Sequence, residues 1–160
     1  MTKLIAMHLL AFTMVIGCKK SCLKNHINPA FIGFQATDID TFVLRAYQPN
    51  DNYRHLLDTV VIVNAGARIF TTSHDTTIAY MNDSDPDHWV SAGFDWVIFL
   101  PAKNRAISIS DIVSPQTDNY GRACLNPINS FVQDGQAIVA QQVNTGDLAT
   151  SGYRAYIHNN

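Results

Sequence analysis

An acidic segment in the middle of the chain has the oxygen-rich spacing of a calcium-binding loop. It places Asp83, Asp85 and Asp87 at alternate positions. Calcium takes about six to eight oxygen ligands, and one short loop can supply several of them. An EF-hand loop also needs a glycine at its sixth position and a carboxylate at its twelfth, where this chain has His88 and Phe94. The likeness covers only the first half of such a loop, so a calcium site and an ordinary acidic surface turn both stay open.

The same segment supports the enzymatic alternative, a metal-dependent hydrolase centred on the residues from Asp83 to His88. Histidine and aspartate also lie close together in sequence at His55 with Asp58 and at His74 with Asp75. None of these pairs has the spacing of metal ligands. The chain contains no G-x-S-x-G elbow, no H-E-x-x-H motif and no phosphate-binding glycine loop. The sequence therefore favours a protein that is not an enzyme and needs no cofactor, with calcium as the only ion that it indicates.

Trp89 is the aromatic residue that we expect to contact a ligand. It follows the acidic segment and precedes the small residues Ser-Ala-Gly, a sequence typical of a loop. An exposed tryptophan on a loop is a plausible anchor for a binding partner. Trp96 differs, because it shares one face of an apolar strand with Phe94 and Ile98, as core residues of a sandwich do.

The first residues predict export and a lipid anchor. Lys3 is followed by a run of thirteen residues, Leu4 to Ile16, in which only His8 and Thr13 interrupt an otherwise apolar stretch. This run is shorter than the roughly 20 residues of a transmembrane helix and fits the apolar part of a signal peptide. It ends in Val-Ile-Gly-Cys, which resembles the bacterial lipobox, with small Gly17 before the cysteine that takes the lipid. We expect cleavage after residue 17 and lipidation of Cys18; the alternative is an ordinary buried thiol at Cys18.

Two cysteines remain when Cys18 carries lipid. Cys22 and Cys124 form an even pair, and disulfides persist in the oxidising compartment to which an exported protein goes. Spacing alone does not show that their Cα atoms come within bonding range. A disulfide between Cys22 and Cys124 and two separate thiols are therefore both open.

The charge pattern excludes one class of partner. The net charge is −2, and the only cluster of cations outside the signal consists of Lys19, Lys20 and Lys24 beside the anchor. A nucleic-acid-binding face needs a basic stripe, so we expect no nucleic-acid partner. All thirteen acidic residues are aspartate, which favours turns and caps over helix interiors.

The hydropathy pattern predicts an all-β domain at residues 30–160, joined to the anchor by a polar linker at residues 18–29. We predict strands at Phe31–Phe34, Thr41–Gln48, Thr59–Val63, Ala67–Thr72, Thr76–Met81, Phe94–Leu100, Arg105–Ile112, Ile128–Gln133, Gln136–Ala140 and Tyr153–His158. Short strands about ten residues apart, without a helical period, indicate an antiparallel β-sandwich of immunoglobulin-like or transthyretin-like type. A small closed barrel is the alternative.

Two details of this pattern are specific enough to test. The β-branched run Thr59–Val63 is typical of a strand that is buried on both faces or lies in a sandwich core. Asp134-Gly135 is the best hairpin dipeptide of the chain.

Two blocks of the chain resemble a known group of proteins. The first is Asp-Ile-Asp-Thr-Phe-Val-Leu-Arg-Ala-Tyr at residues 38–47, followed by Tyr53 and Leu57-Asp58; the second runs from Asp95-Trp96 through Ile109-Ser110-Asp111-Ile112 to Cys124-Leu125-Asn126-Pro127-Ile128. They resemble small uncharacterised lipoproteins of Gram-negative, glycan-degrading bacteria. The resemblance covers about half of the mature chain. It implies an outer-membrane or periplasmic β-sandwich and no catalytic residue.

Together these observations predict a membrane-anchored lipoprotein of the cell envelope, most simply at the outer membrane, with the membrane face left open. Its expected function is that of a non-enzymatic binding or accessory module for an envelope protein or a glycan. The alternatives are the hydrolase at Asp83 to His88 and a purely structural envelope protein.

Overall fold

Strands make up nearly all of the regular structure in the computed structural model, which describes residues 20–21, 25–63, 67–72, 76–81, 90–116, 118–119, 126–144 and 152–159. The strands are β1 (Lys20–Ser21), β2 (Ile27–Ile32), β3 (Thr41–Tyr47), β4 (Leu56–Val63), β5 (Ala67–Thr72), β6 (Thr76–Met81), β7 (Asp95–Leu100), β8 (Arg105–Val113), β9 (Asp118–Asn119), β10 (Ser130–Gln133), β11 (Gln136–Val139) and β12 (Tyr153–His158). Two short 3-10 helices lie at Ala36–Asp38 and Pro101–Lys103.

Two sheets form the body of the domain. One has six strands in the order β11-β10-β8-β7-β3-β4, and the other has four strands in the order β12-β2-β6-β5. Strands β1 and β9 make a small separate ladder. Buried side chains from both large sheets belong to one core cluster, and the rings of Phe31 on β2 and Phe42 on β3 lie 5.9 Å apart. The prediction of an all-β sandwich is confirmed.

Alternation along the strands builds this core. On β3 the side chains of Phe42, Leu44 and Ala46 are buried, and the residues between them are partly exposed. Trp96 is 1% exposed and donates from Nε1 to the main-chain oxygen of Ser91 at 3.0 Å. Its assignment to the core is therefore confirmed, because a buried indole N–H also has its partner.

Of the two placements expected for Thr59–Val63, burial on both faces is wrong: the strand belongs to the sandwich, and only one of its faces meets the core. Strand β4 is the end strand of the six-stranded sheet, and Val61 is 60% exposed. Ile62, which faces the core opposite Phe42, is buried. A β-branched run satisfies the backbone preferences of an edge strand as well as those of a central one, so composition alone did not separate the two.

The first long strand begins earlier than predicted. It starts at Ile27 rather than near Ala30, and the side chain of Ile27 is fully buried. The end of the predicted linker thus belongs to the sandwich, because Ile27 faces the core and its N–H donates to Val90 O at 2.8 Å. Gly33 has φ 73°, a left-handed conformation, and follows the last residue of the strand.

One strand pair departs from the predicted antiparallel arrangement. Strand β12 pairs with β2 in parallel, with Tyr153 opposite Ile27 and Ile157 opposite Phe31. All other ladders between the strands described are antiparallel. As a result, β12 becomes the end strand of the four-stranded sheet, where it forms one wall of the site described below.

The predicted hairpin at Asp134-Gly135 is confirmed. It joins β10 to β11, and its two turn residues have φ 48° and 80°, as a type I′ turn requires. The carboxylate Oδ1 of Asp134 accepts hydrogen bonds from Ser108 N at 2.8 Å and Ser108 Oγ at 3.1 Å. These bonds fix the tip of the hairpin to β8.

Candidate ligand-binding cleft

The site residues predicted from sequence lie outside the described part of the chain. They are Cys18, Cys22, Cys124, Asp83, Asp85, Asp87, His88 and Trp89. Lipidation, the disulfide, the calcium or hydrolase loop and the tryptophan contact all stay predictions.

A cleft of about 400 Å³ lies where the end strand β12 of the smaller sheet meets the β10–β11 hairpin of the larger sheet. We call it the step cleft, and its lining residues are Arg105, Phe131, Gln133, Asp134, Gln136, Ile138, Arg154, Tyr156 and His158. Phe131 and Ile138 pair across the hairpin. Phe131 belongs to the buried core, and the partly buried Ile138 packs against it. They give the cleft an apolar floor beneath a largely polar rim, the usual construction of a ligand pocket.

Two side chains of the six-stranded sheet donate hydrogen bonds to two main-chain oxygens of β12. Gln133 Nε2 donates to Tyr156 O at 2.8 Å, and a guanidinium N–H of Arg105 donates to His158 O. An open strand edge would otherwise offer these oxygens to another chain. The two bonds therefore hold β12 against the larger sheet and fix the inner end of the step cleft.

Strand alternation brings three side chains of β12 to the rim of the cleft. Arg154, Tyr156 and His158 occupy every second position, on the face opposite the buried Ala155 and Ile157. Tyr156 is 44% exposed. Its ring offers a flat apolar surface and its hydroxyl a hydrogen-bonding group, a combination enriched at binding surfaces.

Charged side chains of both signs line the step cleft. Among the described lining residues, Arg105 and Arg154 are cationic and Asp134 is the one carboxylate. Asp134 Oδ1 already accepts two hydrogen bonds from Ser108. The guanidinium of Arg105 also lies over the ring of Phe34, 5.9 Å from its centre, which restricts its position.

A second, smaller cleft of about 230 Å³ lies at the Tyr47 end of β3. Its lining residues are Asn50, Asn52, Tyr53, Asp95, Ser110 and Asp111, and we call it the Asp95 cleft. Four of these six, namely Asn50, Asn52, Tyr53 and Asp111, have positive φ angles between 49° and 62°. Such conformations cost free energy and are often concentrated at functional sites.

Hydrogen bonds to two aspartates hold the turn beside the Asp95 cleft. Asp95 Oδ2 accepts from Asn50 N at 2.9 Å, and Asp51 accepts from the main-chain N–H groups of Arg54 and His55. Desolvation raises the pKa of the Asp51 carboxyl, but the hydrogen bonds from His55 and Arg54 outweigh it and keep this pKa below its ordinary value. The turn is thus fixed by Asp51 within it and by Asp95 on the neighbouring strand β7.

The comparisons add no relative to this picture. No protein-family model, curated protein or solved structure matches the chain. Within the described residues, no group of three or more histidine, cysteine or acidic side chains is arranged to hold a metal ion. None of the helices in the same part of the chain has the length and apolar character needed to cross a membrane.

Sequence reasoning did not single out the step cleft, although one signal for it was present. The alternation Arg154, Tyr156, His158 places a cation, an aromatic ring and a histidine on one face of the last strand. The other contributors, Arg105 and Gln133, lie far away in sequence, and only the packing of the two sheets brings them to β12.

Proposed function

We propose that this protein is an exported, lipid-anchored and non-enzymatic module that binds a glycan in the step cleft. The single observation that carries the proposal is the lining of this cleft, which joins an exposed tyrosine to amide and guanidinium donors above an apolar floor. The lipobox-like sequence ending at Cys18 supports the anchor.

The polar groups of the cleft suit a ligand rich in hydroxyl groups. Gln133 and Gln136 each carry an amide that can donate and accept, and the hydroxyl of Tyr156 can do both as well. A sugar ring has one apolar face and a rim of hydroxyls, which matches Tyr156 beside these amides. A glycan therefore fits the cleft better than a purely apolar ligand does.

The number of carboxylates described in the cleft favours a binding role over glycoside hydrolysis. Most glycosidases use two carboxylates on opposite sides of the bond that is cleaved. Among the residues described here, the step cleft contributes one, Asp134, and Ser108 engages it. We therefore assign the cleft a binding role and no reaction.

The proposal is tested by titrating the full-length protein in detergent with purified oligosaccharides in a calorimeter. Tyr156→Ala is expected to weaken binding about tenfold or more, since it removes the exposed ring from the rim. Val139→Ala is the matched control, because Val139 is 78% exposed on the same hairpin and pairs with Ser130 away from the cleft lining. Absence of saccharide binding, or binding that Tyr156→Ala leaves unchanged, would contradict the proposal.

A further inference from the structure

We infer that the protein forms a two-fold symmetric dimer in which strand β4 pairs with β4 of a second copy. The pairing is antiparallel, with Val61 of one copy opposite Val61 of the other, and it joins the two six-stranded sheets into one continuous sheet. This interface lies at the end of the sheet opposite β11, so the inference is independent of the ligand proposed for the step cleft.

Exposed apolar side chains are concentrated on β4. Among the described residues, seven large apolar side chains are exposed, and four of them belong to this strand. The four are Leu56, Leu57, Val61 and Val63, which are between 48% and 60% exposed. The other three lie on three different strands. A single exposed apolar residue is ordinary, whereas a group of them on one strand is typical of a surface that binds a partner.

The main chain of β4 also directs hydrogen-bonding groups to the open edge of the sheet. Thr59 N donates to Asp58 Oδ1 at 2.7 Å, which places this N–H on the side of β4 away from β3. Hydrogen-bonded and non-hydrogen-bonded pairs alternate along an antiparallel ladder, so the N–H and C=O groups of Val61 and Val63 point the same way. An open edge strand of this kind pairs readily with another strand.

A second copy of β4 is complementary to the first in one antiparallel register. With the two-fold axis at Val61, the segment Thr59–Val63 lies opposite itself, so each of its residues faces a β-branched residue. Val60 then faces Ile62 of the second copy, and both side chains lie on the core side of the sheet. An axis at Val60 would instead bring Asp58 opposite Ile62, a charge against a buried apolar side chain.

The distribution of charge permits this register. Asp58 is the only charged residue of β4, and it lies outside the paired segment Thr59–Val63. With the axis at Val61, the two Asp58 positions are about 20 Å apart along the strands, farther than exposed charges act in physiological salt. The paired segment also contains no proline. It therefore lacks the charges and prolines by which many proteins prevent the pairing of their edge strands.

A second copy fits this surface better than a lipid surface does. Lipid would cover the side chains of Val61 and Val63 but would leave their outward N–H and C=O groups without partners. An antiparallel strand covers the side chains and supplies those partners as well. The self-complementary register favours a copy of this chain over a strand of an unrelated protein. Because a two-fold axis uses each β4 edge once, the assembly closes at the dimer.

Charge exchange at the two-fold position provides the experiment. Full-length protein is studied by sedimentation velocity in density-matched detergent, with micelles in large excess so that two copies rarely share one by chance. The unmodified protein is expected to pass from monomer to dimer between about 1 and 100 µM, the range of a weak specific complex. Val61→Lys and Val61→Asp should each weaken the dimer about tenfold, because equal charges then lie opposite one another. An equimolar mixture of the two variants should dimerise again, since opposite charges then face each other.

A control and a second measurement locate the interface. Val139→Lys is the matched control, because Val139 is 78% exposed on β11, the other end strand of the same sheet. This variant should dimerise like the unmodified protein. The amides of Val61 and Val63 should exchange hydrogen more slowly as the protein concentration rises, which contact between side chains alone does not produce. Circular dichroism spectra identical to that of the unmodified protein show that each variant is folded.

Four results would overturn the inference. The first is a monomer at every concentration, and the second is a dimer that both Val61→Lys and Val61→Asp leave intact. The third is a mixture of these two folded variants that stays monomeric. The fourth is a dimer in which hydrogen exchange at Val61 and Val63 is as fast as in the monomer, which would mean that the copies pack through the faces of their sheets.

Discussion

Gln133 donates from its side-chain amide to the main-chain oxygen of Tyr156 at 2.8 Å, and this bond joins the end strand of the four-stranded sheet to the hairpin of the six-stranded sheet. The donor and the acceptor both belong to residues of the step cleft. The contact thus ties the stability of the β12 edge to the shape of the proposed binding site.

Gln133→Ala is expected to reduce the free energy of unfolding by about 1 kcal/mol, the usual net contribution of one hydrogen bond. The same variant should weaken glycan binding, since β12 loses a hydrogen bond that attaches it to the larger sheet. Urea denaturation gives the first quantity and calorimetry the second. Gln136→Ala, in the next strand of the hairpin, is the stability control; an equal loss in both variants would argue against a special role for Gln133.

The exposed position of β4 is tested by two neighbouring substitutions. Ile62→Ala is expected to cost about 2 to 4 kcal/mol of unfolding free energy, because Ile62 is 6% exposed and faces the core. Val61→Ala is expected to cost under about 0.5 kcal/mol, as surface substitutions usually do. Denaturant titrations measure both values, and a larger loss at Val61 would mean that this strand faces the other way.

The protein is expected to become less stable as the pH falls, because one partly buried histidine resists protonation in the folded state. Burial lowers the pKa of His26 to about 4, from 6.5 in an exposed site. The unfolded chain therefore binds the proton more readily, so stability is complete above pH 6.5 and is lost as the pH falls toward 4. Between pH 7 and pH 5 the loss from this group should be about 2 kcal/mol.

Guanidinium denaturation at the two pH values measures this loss. His26→Gln should flatten the dependence on pH, and the matched control His55→Gln changes an exposed histidine while leaving His26 in place. A dependence that is as steep in His26→Gln as in the unmodified protein would assign it to other groups.

The membrane anchor is tested on the whole protein. Expressed in a Gram-negative host, the protein should appear in the membrane fraction and gain the mass of a diacylglyceryl group and further acyl chains at Cys18, since two or more chains anchor stably. Cys18→Ala should abolish both the added mass and membrane association. Intact-protein mass spectrometry reads the modification directly, and an unmodified thiol at Cys18 would refute the anchor.

Much of the sandwich was predictable from local patterns. The period of two at Ile107 and Ile109 and the dipeptide Asp134-Gly135 gave β8 and the hairpin, because strand alternation and turn preferences are properties of neighbouring residues. The exposure of Val61 was not predictable in this way. It depends on which strand ends the sheet, and the sequence of β4 does not record its neighbours.

The candidate site was harder to predict for the same reason. The parallel pairing of β12 with β2 joins residues more than a hundred positions apart, as in Tyr153 with Ile27. The step cleft then results from two sheets of unequal width, and it brings Arg105 and Gln133 to β12. Patterns of charge and hydropathy along the chain contain no information on such contacts.

The most direct test of the central claim is to map where an oligosaccharide binds. Amide chemical shifts of the full-length protein are recorded in detergent while the oligosaccharide that binds most tightly in the calorimeter is added. Binding in the step cleft predicts shifts that saturate together and centre on Gln136, Arg154 and Tyr156. Shifts centred on Asn50 and Asp111 in the Asp95 cleft, or no saturable shift at all, would contradict it.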